Sequence, residues 1–119
     1  MLMTIFEVLA REHADIEALF ARVRDATTPD AAREPFQALA MRLITCMRAE
    51  HAIVYPRFAF LAGLDDEVAQ AVREHDRVEQ AINYLRLSTL EAEAWHAGVA
   101  RLQQLVRNHV ETEEWICRP

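Results

Sequence analysis

The stretches CMRAEHAIVYP (residues 46–56) and HVETEEWICRP (residues 109–119) repeat one pattern 63 positions apart. In each copy a glutamate stands four positions after the first residue, and a proline stands six positions after that glutamate. The first residue differs, because Cys46 stands where the second copy has His109. Residues i and i+4 share one face of a helix, so an HxxxE pattern presents an imidazole beside a carboxylate. The repeat therefore predicts two helices that each offer a polar pair to a shared interior.

A second repeat lies upstream of each copy, at an offset of 62 positions. The tripeptide Arg-Glu-His ends at His13 and is followed by Glu17; it recurs ending at His75 and is followed by Glu79. The chain thus consists of two related halves, each with one histidine and one HxxxE-type pair. Such halves predict a pseudo-symmetric site suited to two metal ions. Glu17 and Glu79 are expected to be solvated carboxylates or outer groups that orient an imidazole.

Apolar residues recur at helical spacing along four segments, and the period-two alternation of a strand persists nowhere. The pair Thr28–Pro29 marks the start of the second helix, which is predicted to continue to Pro56. Residues 57–63 are predicted to form an irregular connection, and Ser88 with Glu91 resembles a capping box before the fourth helix. Long helices with short connections predict an all-α, antiparallel up-down-up-down four-helix bundle.

The composition limits the functions open to this chain. Its 119 residues suit a single domain, residues 1–119, and 52% of them are apolar. A net charge of −6 argues against a nucleic-acid partner, and the absence of lysine excludes a P-loop. No uncharged stretch approaches the roughly 20 residues of a membrane helix, so no membrane partner is expected. No secretory signal is visible, and a cytoplasmic location is the expectation.

Polar side chains interrupt the apolar stripes at five core-facing positions. Burying an unpaired polar group costs a few kcal/mol, and a domain's whole stability is about 5–15 kcal/mol, so these groups must satisfy one another. At about 1.5 Å of helix rise per residue, all five fall in one layer, towards the end where the second and fourth helices finish. Histidines and carboxylates in one buried layer predict a metal site. The five residues are His13, Glu50, His75, His109 and Glu113.

The motifs REHADIE, AEHAIVYP, REHDRVE and HVETEE, in this order, resemble the hemerythrin-like, or HHE cation-binding, family. The resemblance covers essentially the whole chain and implies a hemerythrin-like bundle with two oxo- or hydroxo-bridged irons. It implies His13, His75 and His109 as imidazole ligands, and Glu50 and Glu113 as carboxylates that bridge the irons. Imidazole and carboxylate together suit iron, and bundle cores often host di-iron sites.

The resemblance also implies a role. A vacant coordination position would let O₂, NO or peroxide bind, for sensing, storage or detoxification. A weak peroxidase or oxidase-type activity is compatible with such a site, although binding or sensing is the main expectation. A small diatomic molecule or peroxide is the expected partner, and the chain is expected to be a monomer or a homodimer. The alternative is a bundle with a depleted or mononuclear site that acts as an interaction or signalling module.

Cys46 departs from the family pattern, which has a histidine there, and three interpretations stay open. The cysteine can be a small core hydrophobe, leaving one iron short of a ligand or the site mononuclear. Its thiolate can ligate the metal instead. Alternatively His51 can substitute, although it lies about 100° round the helix from Glu50 and needs a local distortion such as a π-bulge. Tyr55 is expected to pack, with ligation or an outer hydrogen bond as the lesser alternative.

Overall fold

A computed structural model describes residues 5–56, 64–88 and 91–116 of the chain. Those ranges are helical with short breaks and contain no strand, which confirms the all-α class. The predicted connection at residues 57–63 lies outside the described residues. The helices are α1 (Ile5–Asp25), α2 (Pro29–Ala49), α3 (Asp65–Leu87) and α4 (Ala92–Ile116), and a π-helical segment (Glu50–Val54) follows α2 directly.

The two predicted helix starts have different outcomes. Thr28 is the N-cap of α2, because its hydroxyl accepts a hydrogen bond from the Ala31 N–H at 3.1 Å, and Pro29 occupies the first helical position. The capping box predicted for α4 is wrong. Ser88 instead lies at the end of α3, where its hydroxyl donates to the Leu85 carbonyl at 3.4 Å.

The helices close into one bundle around a common core. Each packs against its neighbour in sequence, and α1 also packs against α4. The core contains apolar side chains from all four helices, each contributing roughly 1.5–3 kcal/mol when fully buried. No helix in the described ranges is both long and apolar enough to cross a membrane. Among the most buried core residues are Phe20, Val23, Leu39, Val78, Ile82 and Leu102.

The π-helical segment changes which residues face the interior. Its turn closes with a hydrogen bond from the Tyr55 N–H to the Glu50 carbonyl, five residues back instead of four. Five residues of a regular α-helix advance about 500°, which would place Tyr55 about 140° away from Glu50. The wider turn brings Tyr55 back to the core, where it is buried. The helical path thus reaches Pro56 as predicted, with a π-helical turn at residues 50–54.

Candidate metal centre

Four buried polar side chains converge inside the bundle. Glu50 comes from the π-helical segment, His75 from α3, and His109 with Glu113 from one face of α4. One ligand atom from each lies within 4.8 Å of all the others. The four side chains converge because each occupies a position on the apolar face of its helix, and these faces pack together in the core of the bundle. Within the part of the chain that the structure describes, these four residues can hold a metal ion together.

Hydrogen-bond acceptor atoms of His75, His109 and Glu50 lie close together at the centre of this cluster. Nε2 of His75 lies 2.6 Å from Nε2 of His109, and Glu50 Oε2 lies 3.1 Å and 3.3 Å from these two nitrogens. Two nitrogens facing each other at this distance can share at most one proton, so at least one presents a lone pair to the interior. A buried group of nitrogen and carboxylate oxygen donors of this kind fits a transition-metal cation.

Glu113 also suits a bound metal cation, because its carboxylate is only 1% exposed. Within the described part of the chain, neither oxygen accepts a hydrogen bond of good geometry, although Oε1 lies 2.5 Å from His109 Nε2. Burial raises the pKa of this carboxyl. Its second oxygen lies 3.8 Å from Nε2 of His13, which is 14% exposed and stands at the edge of the cluster. Glu113 therefore lies between imidazoles of α1 and α4, while His13 stays outside the four converging residues.

Without a metal, a proton supplies the positive charge in the cluster. Burial opposes charging His109, but the Glu113 carboxylate beside Nε2 and the hydrogen bonds with Glu50 and Glu74 outweigh it and raise its pKa to about 11. Burial likewise opposes ionisation of Glu50, yet hydrogen bonds from His109 and His75 hold the pKa of that carboxyl well below its usual range. A metal ion that binds here must displace this proton, because ligating imidazoles are neutral.

The Tyr55 hydroxyl lies in the middle of the same cluster. It donates to Glu50 Oε2 at 3.2 Å and lies 3.0 Å and 3.3 Å from Nε2 of His75 and His109. Burial, with the nearby Glu113 and Glu50 carboxylates, raises the pKa of the phenol far above its usual value. The expectation that Tyr55 mainly packs is therefore incomplete. Helical periodicity gave no signal for this contact, since only the π turn brings the hydroxyl inward.

Glu74 is an outer group that the sequence reasoning missed. Its Oε1 lies 3.0 Å from Nδ1 of His109, and its other oxygen accepts hydrogen bonds from Thr112 and Gln70 at 3.0 Å and 3.3 Å. A carboxylate on Nδ1 turns Nε2 of the same ring towards the interior, as carboxylates often do for ligating histidines. The repeated Arg-Glu-His marks a glutamate before each histidine, but it gives no reason to expect a contact between Glu74 and His109 on another helix.

Glu17 and Glu79, considered as outer groups, lie elsewhere. Glu17 pairs with Arg107 on α4 at 2.9 Å and accepts a hydrogen bond from Gln103 at 2.9 Å. Its contact therefore joins α1 to α4 near the surface, which favours the solvated-carboxylate alternative. Glu79 is exposed on α3. Neither carboxylate has a hydrogen bond to a ring of the cluster in the described structure.

Cys46 lies in the hydrophobic core and is 5% exposed. Burial and the nearby Glu12 carboxylate raise the pKa of its thiol to about 12, so the metal-free chain holds a protonated thiol. Cys46 is not among the residues whose ligand atoms converge. Glu12 and Cys46 correspond in the repeat to Glu74 and His109, so the first half keeps the outer carboxylate beside a residue that is no longer a histidine. The core-hydrophobe interpretation fits this placement best.

His51 lies on the outer side of the cluster and is exposed. Its ring stacks on that of His75, with centroids 4.7 Å apart and planes at 22°. Burial and the neighbouring His75 lower the pKa of His51. The segment does contain the π turn that direct ligation by His51 would need, but this turn brings in Tyr55. The His51 ring is not among the converging ligand groups of the described residues.

Comparison with known proteins agrees with this geometry. The family described as hemerythrin HHE cation binding domain matches residues 4–117. A "DNA nickase" of Nostoc sp. (strain PCC 7120) is 22% identical over 112 residues, which cover 94% of this chain and 32% of that protein. The chain thus spans about a third of that relative's length. No solved structure matches this chain. With its buried histidine and glutamate cluster, the chain belongs to the hemerythrin HHE cation-binding domain family.

Proposed function

We propose that this chain is a non-haem iron protein whose buried centre binds or reacts with O₂, NO or peroxide. The observation that carries the proposal is the convergence of Glu50, His75, His109 and Glu113 within 4.8 Å. Two imidazoles and two carboxylates form a donor set that suits iron, and helix bundles build such sites from facing side chains. Sensing, storage and detoxification are the roles compatible with such a centre.

Two irons per chain are the stoichiometry that we propose. Glu113 supports it, because one oxygen lies beside His109 and the other lies 3.8 Å from His13 on the neighbouring helix α1. A carboxylate in this position can serve two metal ions at once. The burial of Cys46 in the apolar core supports an asymmetric pair, in which the ion nearer α1 and α2 has fewer protein ligands.

Bound iron would supply an open coordination position for the small ligand. The protein's own contribution is orientation and proton control. Glu74 holds Nδ1 of His109, which keeps Nε2 pointing inward. The Tyr55 hydroxyl retains its proton and lies within 3.3 Å of the inner nitrogens, so it is placed to donate a hydrogen bond to a ligand bound beside them. The surrounding core keeps bulk water away from these groups.

The proposal is tested by metal analysis, the optical spectrum and NO titration of protein produced with ample iron. We expect about two irons per chain, a near-ultraviolet charge-transfer band in air, and a spectral change when NO is added to the reduced protein. Glu114→Gln is the control, because this exposed neighbour of Glu113 lies outside the cluster. Protein that contains no iron under these conditions would contradict the proposal.

The alternative is a bundle with a depleted or mononuclear site that acts as an interaction or signalling module. One observation favours it: the position that corresponds to His109 in the first half carries Cys46, whose thiol lies in the core. A depleted bundle would remain fully folded without metal and show no change in melting temperature when iron is added. A single iron per chain, with a normal thermal shift, would indicate the mononuclear form.

A further inference from the structure

A cavity lies far from the metal centre, where the start of α2 meets the end of α3 and the start of α4. Its volume is about 420 Å³, within the roughly 300–1,000 Å³ typical of small-molecule sites. Arg33 on α2 precedes Glu50 by about 26 Å of helix rise, and Trp95 on α4 precedes His109 by about 21 Å. The metal cluster therefore does not contribute to this cavity.

The wall of the cavity is aromatic and held in place. The Trp95 indole N–H donates to the Leu85 carbonyl at 3.1 Å, so this polar group is already used. The Phe36 ring meets the indole edge-on, with centroids 5.2 Å apart and planes at 71°, and His96 packs against it at 83°. Phe36 and Leu85 are buried beneath the cavity. These contacts leave an aromatic surface suited to a planar apolar group.

Two arginines, Arg33 and Arg86, make the rim of the cavity cationic, in a chain whose net charge is −6. None of the described lining residues is Asp or Glu. Arg86 forms no ion pair within the described ranges. Arg33 pairs with Asp30 at 3.4 Å, but these side chains are 73% and 92% exposed, and such a surface pair is worth little. Both guanidinium groups are therefore available to an anion.

We propose that this cavity binds a small aromatic carboxylate. The aromatic ring lies against Trp95, above the buried Phe36, and the carboxylate is held by the guanidinium groups of Arg33 and Arg86. A guanidinium group can donate two parallel hydrogen bonds to a carboxylate. The aromatic wall packs more favourably against a flat ring than against an aliphatic chain. The proposal stands on this cavity alone and does not depend on iron binding.

Calorimetric titration of the full chain as purified tests the proposal, with 2-naphthoate as the probe. We expect saturable binding at one site, and no measurable binding of acetate, which lacks the ring, or of 2-naphthalenemethanol, which lacks the charge. The exposed arginines allow substitutions that leave the fold intact. Arg33→Gln and Arg86→Gln should each weaken binding roughly tenfold, because each removes a hydrogen bond between charged groups.

Arg101→Gln is the matched control, since this exposed arginine of α4 does not line the cavity. It should bind 2-naphthoate with unchanged affinity. The absence of binding to the unsubstituted chain would overturn the proposal. So would binding that both cavity substitutions leave unchanged, or equal binding of the neutral alcohol.

Discussion

Replacing Glu113 by glutamine should change the stability of this protein in opposite directions with and without metal. The carboxylate is 1% exposed, and within the described structure its oxygens accept no hydrogen bond of good geometry. Burial raises its pKa, which means that ionisation is less favourable in the folded chain than in the unfolded one. Above its unfolded pKa this carboxyl group therefore lowers the stability of the metal-free fold. A neutral amide of the same shape relieves that penalty.

The expected gain for the metal-free Glu113→Gln variant is about 1–3 kcal/mol at pH 7, because an unpaired buried charge costs more than an unpaired buried amide. The sign of the pH dependence follows from the raised pKa. As the pH falls through the folded pKa, Glu113 becomes protonated and the penalty disappears from the wild-type chain. The difference between the two proteins should therefore shrink in acid.

In the presence of metal, Glu113→Gln should instead lower the stability of the protein relative to the wild type. At a metal concentration of about 100 times the dissociation constant, binding stabilises the wild-type fold by about 2.7 kcal/mol. If the substitution weakens binding about 100-fold, the same metal concentration contributes only about 0.4 kcal/mol. For a chain of this length, a metal-induced rise in melting temperature of about 10 °C should fall to about 2 °C.

Urea denaturation of the metal-free proteins and thermal melting with added iron measure the two effects. Glu114→Gln is the control, because it removes a carboxylate from the exposed face of the same turn. It should change the free energy of unfolding by no more than about 0.5 kcal/mol in either state. The reasoning is refuted if Glu113→Gln destabilises the metal-free chain while leaving the metal-induced shift intact.

Five further predictions concern Cys46, His51, Tyr55 and the ion pair between Glu17 and Arg107. Cys46→Ala should leave the iron content unchanged and lower the free energy of unfolding by about 1 kcal/mol, because the thiol fills space in the core. Cys46→His should raise the iron content, measured by metal analysis, in any preparation that holds fewer than two irons per chain. His51→Ala should also retain its iron, since the ring lies outside the converging group; a loss would identify His51 as a ligand. Tyr55→Phe should lower the stability of the metal-free chain by about 1–3 kcal/mol in urea titration, because Glu50 loses a buried hydroxyl donor; an unchanged midpoint would contradict that contact. A double-mutant cycle of Glu17→Gln and Arg107→Gln should give a small favourable coupling, because both side chains are largely exposed. The Arg107 hydrogen bond lowers the pKa of Glu17, so this coupling is present above pH 4.5 and is lost as the pH falls through the lower folded value.

Much of the cluster could be predicted because helical spacing is a local property. Each of Glu50, His75, His109 and Glu113 stands where an apolar stripe has a polar residue, and the bundle turns those stripes inward. Their roles as ligands remain predictions. His13 has the same kind of position, yet it lies at the edge of the cluster, because the separation between α1 and α4 depends on packing along the whole interface.

Other features of the site could not be predicted, since they depend on turns and on contacts between helices. Glu74 is one residue away from the face that the apolar pattern marks, and it reaches His109 only because α3 and α4 pack side by side. Glu17 occupies the spacing of an outer ligand but meets Arg107, which sequence distance gave no reason to expect. A side chain at the border of a helix face is directed by whichever neighbour the bundle supplies.

The sequence by itself determined the four helices, the inward register of the histidines and glutamates, and the unmatched cysteine in the first half of the repeat. These follow from spacing along one chain, where about 100° of rotation per residue decides the face. Tertiary structure decided that Cys46 lies in the apolar core beside Glu12 and that Tyr55 joins the cluster through a π turn. A single added residue in a helical turn rotates everything after it, and only packing against the other helices selects where that turn occurs.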